Sequence, residues 1–128
     1  MPSTRIETGS GWIGDRRAEV LEAVQRALVI GIKIPEDDRD IRLTEHDPAN
    51  MITSASASPR RTIIEITLFI GLTIEAKRRL YAALVEQLAP FGLIANDIKV
   101  TLIEVSRENW GLGGLPASEI DVGFKIEV

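Results

Sequence analysis

The chain has 128 residues, which is the size of one domain and enough to bury a hydrophobic core. It has no cysteine, which excludes a disulfide framework and a thiolate metal site, and its formal net charge of −4 argues against a nucleic-acid partner. No apolar run approaches the roughly 20 residues of a membrane span, and no secretion signal opens the sequence, so we expect a cytoplasmic domain without a membrane partner.

The first half of the chain predicts the order strand, helix, strand. Residues 3–8 alternate in polarity with a period of two, which is typical of a short half-buried strand. Asp15 is placed to begin a helix, because an acidic side chain suits the positive end of the helix dipole. The apolar positions that follow step by three and four until Gly31 and Pro35 mark the end of the helix. Residues 39–45 alternate again and predict the second strand.

The second half repeats this order after a polar, low-complexity connector, which we expect to be an exposed loop. Residues 62–70 are β-branched and apolar and predict a well-buried strand. Thr73 is a suitable N-cap for a helix that carries a second apolar stripe. Residues 98–105 alternate and predict the fourth strand, and residues 120–128 are compatible with one or two last short strands.

The two halves form an internal repeat of about 60 residues within a single domain. The predicted division is repeat 1 at about 2–48, a connector at about 49–61, repeat 2 at about 62–106 and a C-terminal tail at 107–128. Each half is a β-α-β unit, whose right-handed crossover makes its two strands parallel. The predicted fold class is therefore α+β, with duplicated β-α-β units that form a four-stranded mixed sheet with both helices on one face. We expect the second sheet face to be apolar and covered by other subunits.

Pro2 has two interpretations. In the structural one it is the first residue of an edge strand, where a missing N–H has no consequence. In the functional one Met1 is removed, as commonly happens before a small second residue, and Pro2 becomes a terminal secondary amine. A free α-amino group titrates at about 7.7–8.0 in model peptides, and burial in an apolar pocket lowers that pKa. The neutral amine can then take a proton from a carbon beside a carbonyl.

A duplicated β-α-β chain with Pro2 opening its first strand resembles the tautomerase superfamily. Its length, twice that of the small 4-oxalocrotonate tautomerase subunit, resembles the fused members, which assemble as trimers. Residues 33–39 (KIPEDDR), 44–48 (TEHDP) and 109–113 (NWGLG) resemble the branch that contains malonate semialdehyde decarboxylase. The resemblance extends from Pro2 to about residue 114. It implies a tautomerase-like fold and a homotrimer that acts on a small-molecule substrate without a cofactor.

The resemblance also implies roles for particular residues. Pro2 is expected as the catalytic base, with Asp38 beside it to hold a water or to stabilise the protonated amine. Arg39 is expected either to bind a substrate carboxylate or to pair with a nearby acid. Trp110 and Leu112 match positions that wall the pocket. The alternatives are that Asp38 is a solvated turn residue and that Trp110 only anchors the tail to the sheet.

The sequence departs from the decarboxylase branch after its third strand. Two arginines that flank a proline in that branch are replaced here by Ile70 and Leu72, on either side of a glycine. The two guanidinium groups that would bind a carboxylate are missing, which argues against decarboxylation and against hydrolytic dehalogenation. Ile70 and Leu72 are expected instead to make apolar contacts with the substrate. Arg60, Arg61 and Arg107 are candidates to replace the arginines from elsewhere in the trimer.

Three functional hypotheses follow. The first is an isomerase that uses Pro2 as general base for keto–enol tautomerisation of a small 2-keto or enol acid, or of an arylpyruvate-like ketone. The second is a cofactor-free decarboxylase or hydratase of the malonate semialdehyde decarboxylase type that uses Pro2 and Asp38. The third is a catalytically silent trimeric binding module. We expect no metal, because His46 is the only histidine and one histidine does not make a metal site; it is expected to be structural.

Overall fold

The structure is a computed structural model, and it describes residues 2–123 and residue 128. Its elements follow the predicted order. The strands are β1 (Ser3–Gly9), β2 (Ile41–His46), β3 (Thr62–Phe69), β4 (Ile98–Val105), β5 (Gly111–Leu112) and β6 (Leu115–Pro116). The helices are α1 (Arg17–Ile32) and α2 (Ile74–Leu88). In the part of the chain that the structure describes, neither helix is long and apolar enough to cross a membrane.

The four long strands form one mixed sheet in the order β2-β1-β3-β4. β1 is parallel to β2, and β3 is parallel to β4. The two units are joined by the antiparallel pair of β1 and β3, in which Ile6 lies opposite Ile64. Because parallel neighbours need a crossover, α1 and α2 are the crossovers of two successive β-α-β units. The predicted α+β fold class with duplicated β-α-β units is confirmed.

The core lies between the sheet and the two helices, which pack against the same face and against each other. The helices approach most closely at Gly31, where an added Cβ would lie 2.5 Å from the Cα of Leu80. Only a residue without a side chain fits this contact. The largest fully buried apolar side chains of the core are Ile6, Val20, Val24, Leu28, Ile64, Ile66, Leu80, Leu84 and Leu88.

The opposite face of the sheet is polar, which corrects the expectation of an apolar second face. Alternate residues of β3 are fully buried, but Ile63, Glu65 and Thr67 between them are only half-buried. Arg5 on β1 contacts Glu7 at 3.2 Å and Glu65 at 3.9 Å on this face. The alternation is not evident from the sequence of β3, because its outward positions include an isoleucine and a threonine, which are also common in buried strands. Burial of apolar surface therefore gives no reason to expect other subunits on this face.

The two helices begin differently from one another. α2 begins as predicted, with the Thr73 hydroxyl accepting a hydrogen bond from the Ala76 N–H at 3.1 Å. α1 does not begin at Asp15 as predicted. It begins at Arg17, with Arg16 at the N-cap position and no side-chain capping bond. The acidic residue lies in the preceding turn, so the dipole argument placed the start of this helix two residues too early.

Several strand boundaries and the predicted end of the chain also differ. β1 ends at Gly9, one residue later than predicted, and β2 spans Ile41–His46 where residues 39–45 were predicted. β3 ends at Phe69, one residue earlier than predicted. Residues 120–123 lie in no strand, and the rest of the predicted last strand falls on residues 124–127, outside the described residues.

The connector is tied to the second repeat by the buried carboxylate of Asp97. It accepts hydrogen bonds from the Ser58 N–H at 2.6 Å, the Ser58 hydroxyl at 2.8 Å and the Ile94 N–H at 3.0 Å. Burial acts to raise the pKa of Asp97, but these hydrogen bonds and the charge of Arg60 outweigh it and hold the pKa below the ordinary 3.8. The ionised carboxylate therefore stabilises the fold above pH 3.8, and this contribution is lost as the pH falls through the lowered pKa.

Replacement of Gly31 tests the close contact between the helices. We expect Gly31→Ala to destabilise the fold by about 1–3 kcal/mol, because the clash with Leu80 outweighs the better helix propensity of alanine. The measurement is the free energy of unfolding in urea. Gly111→Ala is the control, since its Cβ would meet nothing within 4 Å, and it should change stability by less than about 0.5 kcal/mol. Equal effects of the two substitutions would contradict the packing argument.

Replacement of Asp97 tests the connector anchor. We expect Asp97→Asn to lower the free energy of unfolding by about 2 kcal/mol at pH 7, because an amide N–H then faces backbone N–H donors. The deficit relative to wild type should shrink as the pH falls below 3.8, because the unfolded chain binds a proton at Asp97 there while the native carboxylate is protonated only at its lowered pKa. Asp47→Asn is the control, since Asp47 is exposed and accepts one backbone hydrogen bond. A pH-independent deficit for Asp97→Asn would contradict the role of the charge.

Candidate active site

Pro2 directly precedes β1, is buried and lines a cleft of about 350 Å³. Three segments that are far apart in sequence meet there: the start of the chain, the turn after α1 and the C-terminal tail. The cleft is lined by Pro2, Pro35, Asp37, Asp38, Arg39, Asp40, Trp110, Leu112 and Val122.

Five of the seven residues predicted for the site lie in this one cleft, namely Pro2, Asp38, Arg39, Trp110 and Leu112. Their roles in catalysis and binding stay predictions.

The other two predicted residues, Ile70 and Leu72, do not line the cleft. Ile70 is exposed in the turn after β3, and its N–H donates a hydrogen bond to the Val105 carbonyl at 3.3 Å. Leu72 is partly buried and packs against the core. Their contact with a substrate stays a prediction, and the lining of this cleft does not support it.

The turn that carries Asp38 is fixed from α1. The helix ends at Lys33, which adopts the left-handed conformation with φ of 57° and reverses the chain. The Asp38 N–H then donates to the Pro35 carbonyl at 3.1 Å. Gln25, which is only 4% exposed, donates from its side-chain amide to the Asp38 carbonyl at 3.0 Å. A buried residue of α1 therefore fixes the position of the Asp38 backbone at the wall of the cleft.

Arg39 has an acidic partner within the chain. Its Nη2 donates a hydrogen bond to Oε1 of Glu22 on α1, and both side chains are about half exposed. Pairing with a nearby acid was one of the two predicted alternatives for this residue. Next to it, Asp40 accepts a hydrogen bond from Arg42 at 3.1 Å. Asp37 is exposed at the rim. The cleft thus has more carboxylates than guanidinium groups among its described lining residues.

The tail is held over the cleft by an aromatic and cationic cluster. The Trp110 ring meets the buried Phe69 ring edge to face, with centroids 5.2 Å apart. The Arg107 guanidinium lies 5.6 Å from the centre of the same Phe69 ring. It also donates to the carbonyls of Ala117 and Ile120 at 3.1 and 3.0 Å. Trp110 therefore contacts the sheet through Phe69 and also lines the cleft, and its role in substrate binding stays a prediction.

The other charged candidates have structural partners outside the cleft. Arg61 donates to the Asn96 carbonyl at 2.9 Å, and Arg60 lies beside Gly92 and contributes to the field at Asp97. His46 approaches Glu7 at 3.6 Å at the end of its strand. Within residues 2–123 and 128, no three histidine, aspartate or glutamate side chains are grouped so that they could hold a metal ion.

Several residues of the site were missed from the sequence. Asp37 and Asp40 flank predicted residues, and their number in the turn was the available signal. Val122 and the contacts of Phe69 with Arg107 gave none, because they depend on how the tail folds back onto β3.

Comparison with known proteins agrees with the fold and with the resemblance. Residues 38–113 match the family model Tautomerase_2, described as tautomerase enzyme. A probable tautomerase of Ralstonia nicotianae is 35% identical over 57 residues, which are 44% of this chain and 81% of that protein.

Among solved structures, FG41 malonate semialdehyde decarboxylase inhibited by 3-bromopropiolate is 35% identical, with a TM-score of 0.79 over 87% of this chain and 88% of that one. Native fused 4-OT is 27% identical, with a TM-score of 0.82 over 92% of this chain and 98% of that one. R7 fused 4-OT, an asymmetric trimer, is 25% identical, with a TM-score of 0.81 over 91% of this chain and 97% of that one.

The family model covers more than half of the sequence, and the match begins at Asp38 and extends past Trp110 and Leu112. The chain therefore belongs to the Tautomerase_2 family of the tautomerase superfamily.

Proposed function

We propose that this protein is a keto–enol tautomerase that uses the amine of Pro2 as its general base, after removal of Met1, on a small 2-keto or enol acid or an arylpyruvate-like ketone. The observation that carries the proposal is the cleft in which buried Pro2 lies with Asp38, Arg39 and Trp110. Family membership supports a tautomerase-like or related activity.

The chemistry needs few groups. The neutral Pro2 amine takes the hydroxyl proton of the enol, and the protonated amine delivers a proton to the adjacent carbon, which gives the ketone. The carboxylate of Asp38 favours the protonated amine because opposite charges attract across a partly enclosed cleft. Arg39 binds the substrate carboxylate through paired N–H groups. Trp110 and Leu112 form an apolar wall against the carbon skeleton. These steps require no cofactor.

We propose that the working form is a homotrimer. Two fused 4-OT structures that have the same fold over nearly their whole length, one of them R7 fused 4-OT, are described as trimers. In such an assembly a neighbouring chain can contribute further side chains to the cleft, and Ile70, which is exposed at the end of β3, is a candidate for that contact.

A second candidate function is decarboxylation or hydration of the malonate semialdehyde type. Two observations favour it. The chain is 35% identical to FG41 malonate semialdehyde decarboxylase, and Pro2 and Asp38 lie in one cleft. Ile70 and Leu72 in place of two arginines count against it, since Arg39 is the only guanidinium among the described lining residues and is paired with Glu22. Turnover of malonate semialdehyde distinguishes the two reactions. If the protein is a trimer that turns over neither substrate, the remaining hypothesis is the catalytically silent binding module.

Removal of the Pro2 nitrogen tests the base directly. We expect the intact mass of the purified protein to lack one methionine, and Pro2→Ala to lower kcat/KM for ketonisation of phenylenolpyruvate by about 100-fold or more. The assay follows the loss of enol absorbance.

Two controls separate the amine from the proline ring. Insertion of one glutamate between Met1 and Pro2 keeps the ring but leaves its nitrogen acylated, so this variant should be as inactive as Pro2→Ala. Pro59→Ala removes a proline of the connector, outside the cleft, and should keep the wild-type rate. Retention of Met1 in an active protein, or an unchanged rate in Pro2→Ala, would refute the proposal.

A further inference from the structure

Arg39 lies at the border of two cavities. One is the cleft that contains Pro2. The other is a groove of about 270 Å³ along α1 and β2, which is lined by Ala18, Leu21, Glu22, Gln25, Arg39 and Ile41. The guanidinium group can therefore pair with Glu22 on the side of the groove or with an anionic ligand on the side of the cleft.

α1 holds two consecutive residues of the cleft wall. Gln25 donates to the backbone carbonyl of Asp38, and Glu22, one turn earlier on the same helix, accepts from the side chain of Arg39. The first contact is buried and fixes a backbone position. The second is about half exposed on both sides, with exposed fractions of 51% for Arg39 and 48% for Glu22. Ion pairs with that much solvent access are weak and exchange readily.

The charges of the cleft make this pairing important. Its described lining includes the carboxylates of Asp37, Asp38 and Asp40, and Arg39 is the one guanidinium among them. Asp40 is compensated by Arg42, and Arg39 is compensated by Glu22. The described lining thus has three carboxylates and one guanidinium group, and this excess of acidic side chains disfavours a substrate with two negative charges.

We propose that Glu22 is a specificity-determining residue. It is the counter-ion that a substrate carboxylate must displace from Arg39. The cleft can then bind one carboxylate, through the single arginine that is released, and it discriminates against dicarboxylates because a second anionic group meets the acidic residues. The proposal rests on the proposed function and defines its substrate class as uncharged or singly charged enols and ketones.

Displacement is chemically reasonable because the incoming carboxylate offers the guanidinium group the same kind of charged acceptor as Glu22 does, and it can accept two parallel N–H groups where Glu22 accepts one. Arg39 already lines the cleft, so only its side-chain contact has to change while the backbone stays held through Asp38. The contribution of an exposed pair limits the size of the effect, which should be a threefold to fivefold change, on the order of what such pairs contribute.

The test compares Glu22→Gln with wild type on three enol substrates: phenylenolpyruvate with one carboxylate, its methyl ester with none, and enol oxaloacetate with two. We expect Glu22→Gln to lower KM for phenylenolpyruvate by about threefold to fivefold with little change in kcat. KM for the ester should not change. Wild type should have a higher KM for enol oxaloacetate than for phenylenolpyruvate.

Two further variants separate this role from a general charge effect. Glu19→Gln removes the same charge one turn earlier on α1, where Glu19 pairs with Arg16 at 3.0 Å, and it should leave KM unchanged. In a background of Arg39→Gln, the addition of Glu22→Gln should bring no gain. An equal gain with Glu19→Gln, an equal gain on the ester, or no gain on phenylenolpyruvate would overturn the proposal.

Equilibrium binding keeps the test independent of turnover. Calorimetric titration with phenylpyruvate should give a Kd that is about threefold to fivefold lower for Glu22→Gln than for wild type, also in the Pro2→Ala background. If Pro2→Ala is as active as wild type but Glu22→Gln binds more tightly, the proposed function fails and the specificity role stands. If Pro2→Ala is inactive and Glu22→Gln binds phenylpyruvate no more tightly, the specificity role fails alone.

Discussion

The antiparallel pairing of β1 with β3 determines where every other part of this molecule lies. Among the described strands it is the one pairing that joins the two β-α-β units in the main sheet, since each remaining long-strand pair lies inside one unit. It also sets Ser3 opposite Thr67, which brings the beginning of the chain beside the end of β3. Pro2 and Phe69 therefore lie at the same end of the sheet. The cleft forms at that end because the tail, through Trp110, packs on Phe69.

Both helices support the cleft by packing, and α1 also supplies two polar side chains that bond to residues of the cleft wall. Gly31 lets the helix backbones meet, and Gln25 on the same helix is buried. The same helix then presents Gln25 and Glu22 to consecutive residues of the following turn. A core contact and an electrostatic contact are thus three residues apart on one helix. Stability and the charge at the cleft wall can change separately there, because one contact is buried and the other is solvated.

The fold could be predicted from the sequence because its signals are local and are repeated. The hydrophobic periods and the Thr73 cap each lie within one element, and the duplication supplies the hydrophobic periods twice. Gly31, which was expected to mark the end of α1, lies inside that helix, and Lys33 follows its last residue in the left-handed conformation. The start of α1 was misplaced because one acidic residue resembles a cap whether or not it accepts a bond. The polarity of the second sheet face was missed because β-branched side chains are compatible with either side of a strand.

The site could be predicted only in part. Pro2, Asp38 and Trp110 were found because they lie in segments that resemble a family. The pairing of Arg39 with Glu22 and the contact of Arg107 with Phe69 join elements 17 and 38 residues apart, counted from their positions in the sequence. No period or motif relates such positions. They follow from the crossover of α1 and from the fold-back of the tail, which are known only when the elements are assembled.

The duplication has a consequence for how many reaction centres one polypeptide can hold. Pro2 precedes β1, and the matching place before β3 is occupied by Arg61. In the proposed mechanism the base is an amine at the amino terminus, and a polypeptide has one amino terminus, whereas the nitrogen of Arg61 is an ordinary peptide nitrogen. The second unit therefore does not need to begin with proline. Here that place holds a side chain that fastens the loop before β4, through the Asn96 carbonyl.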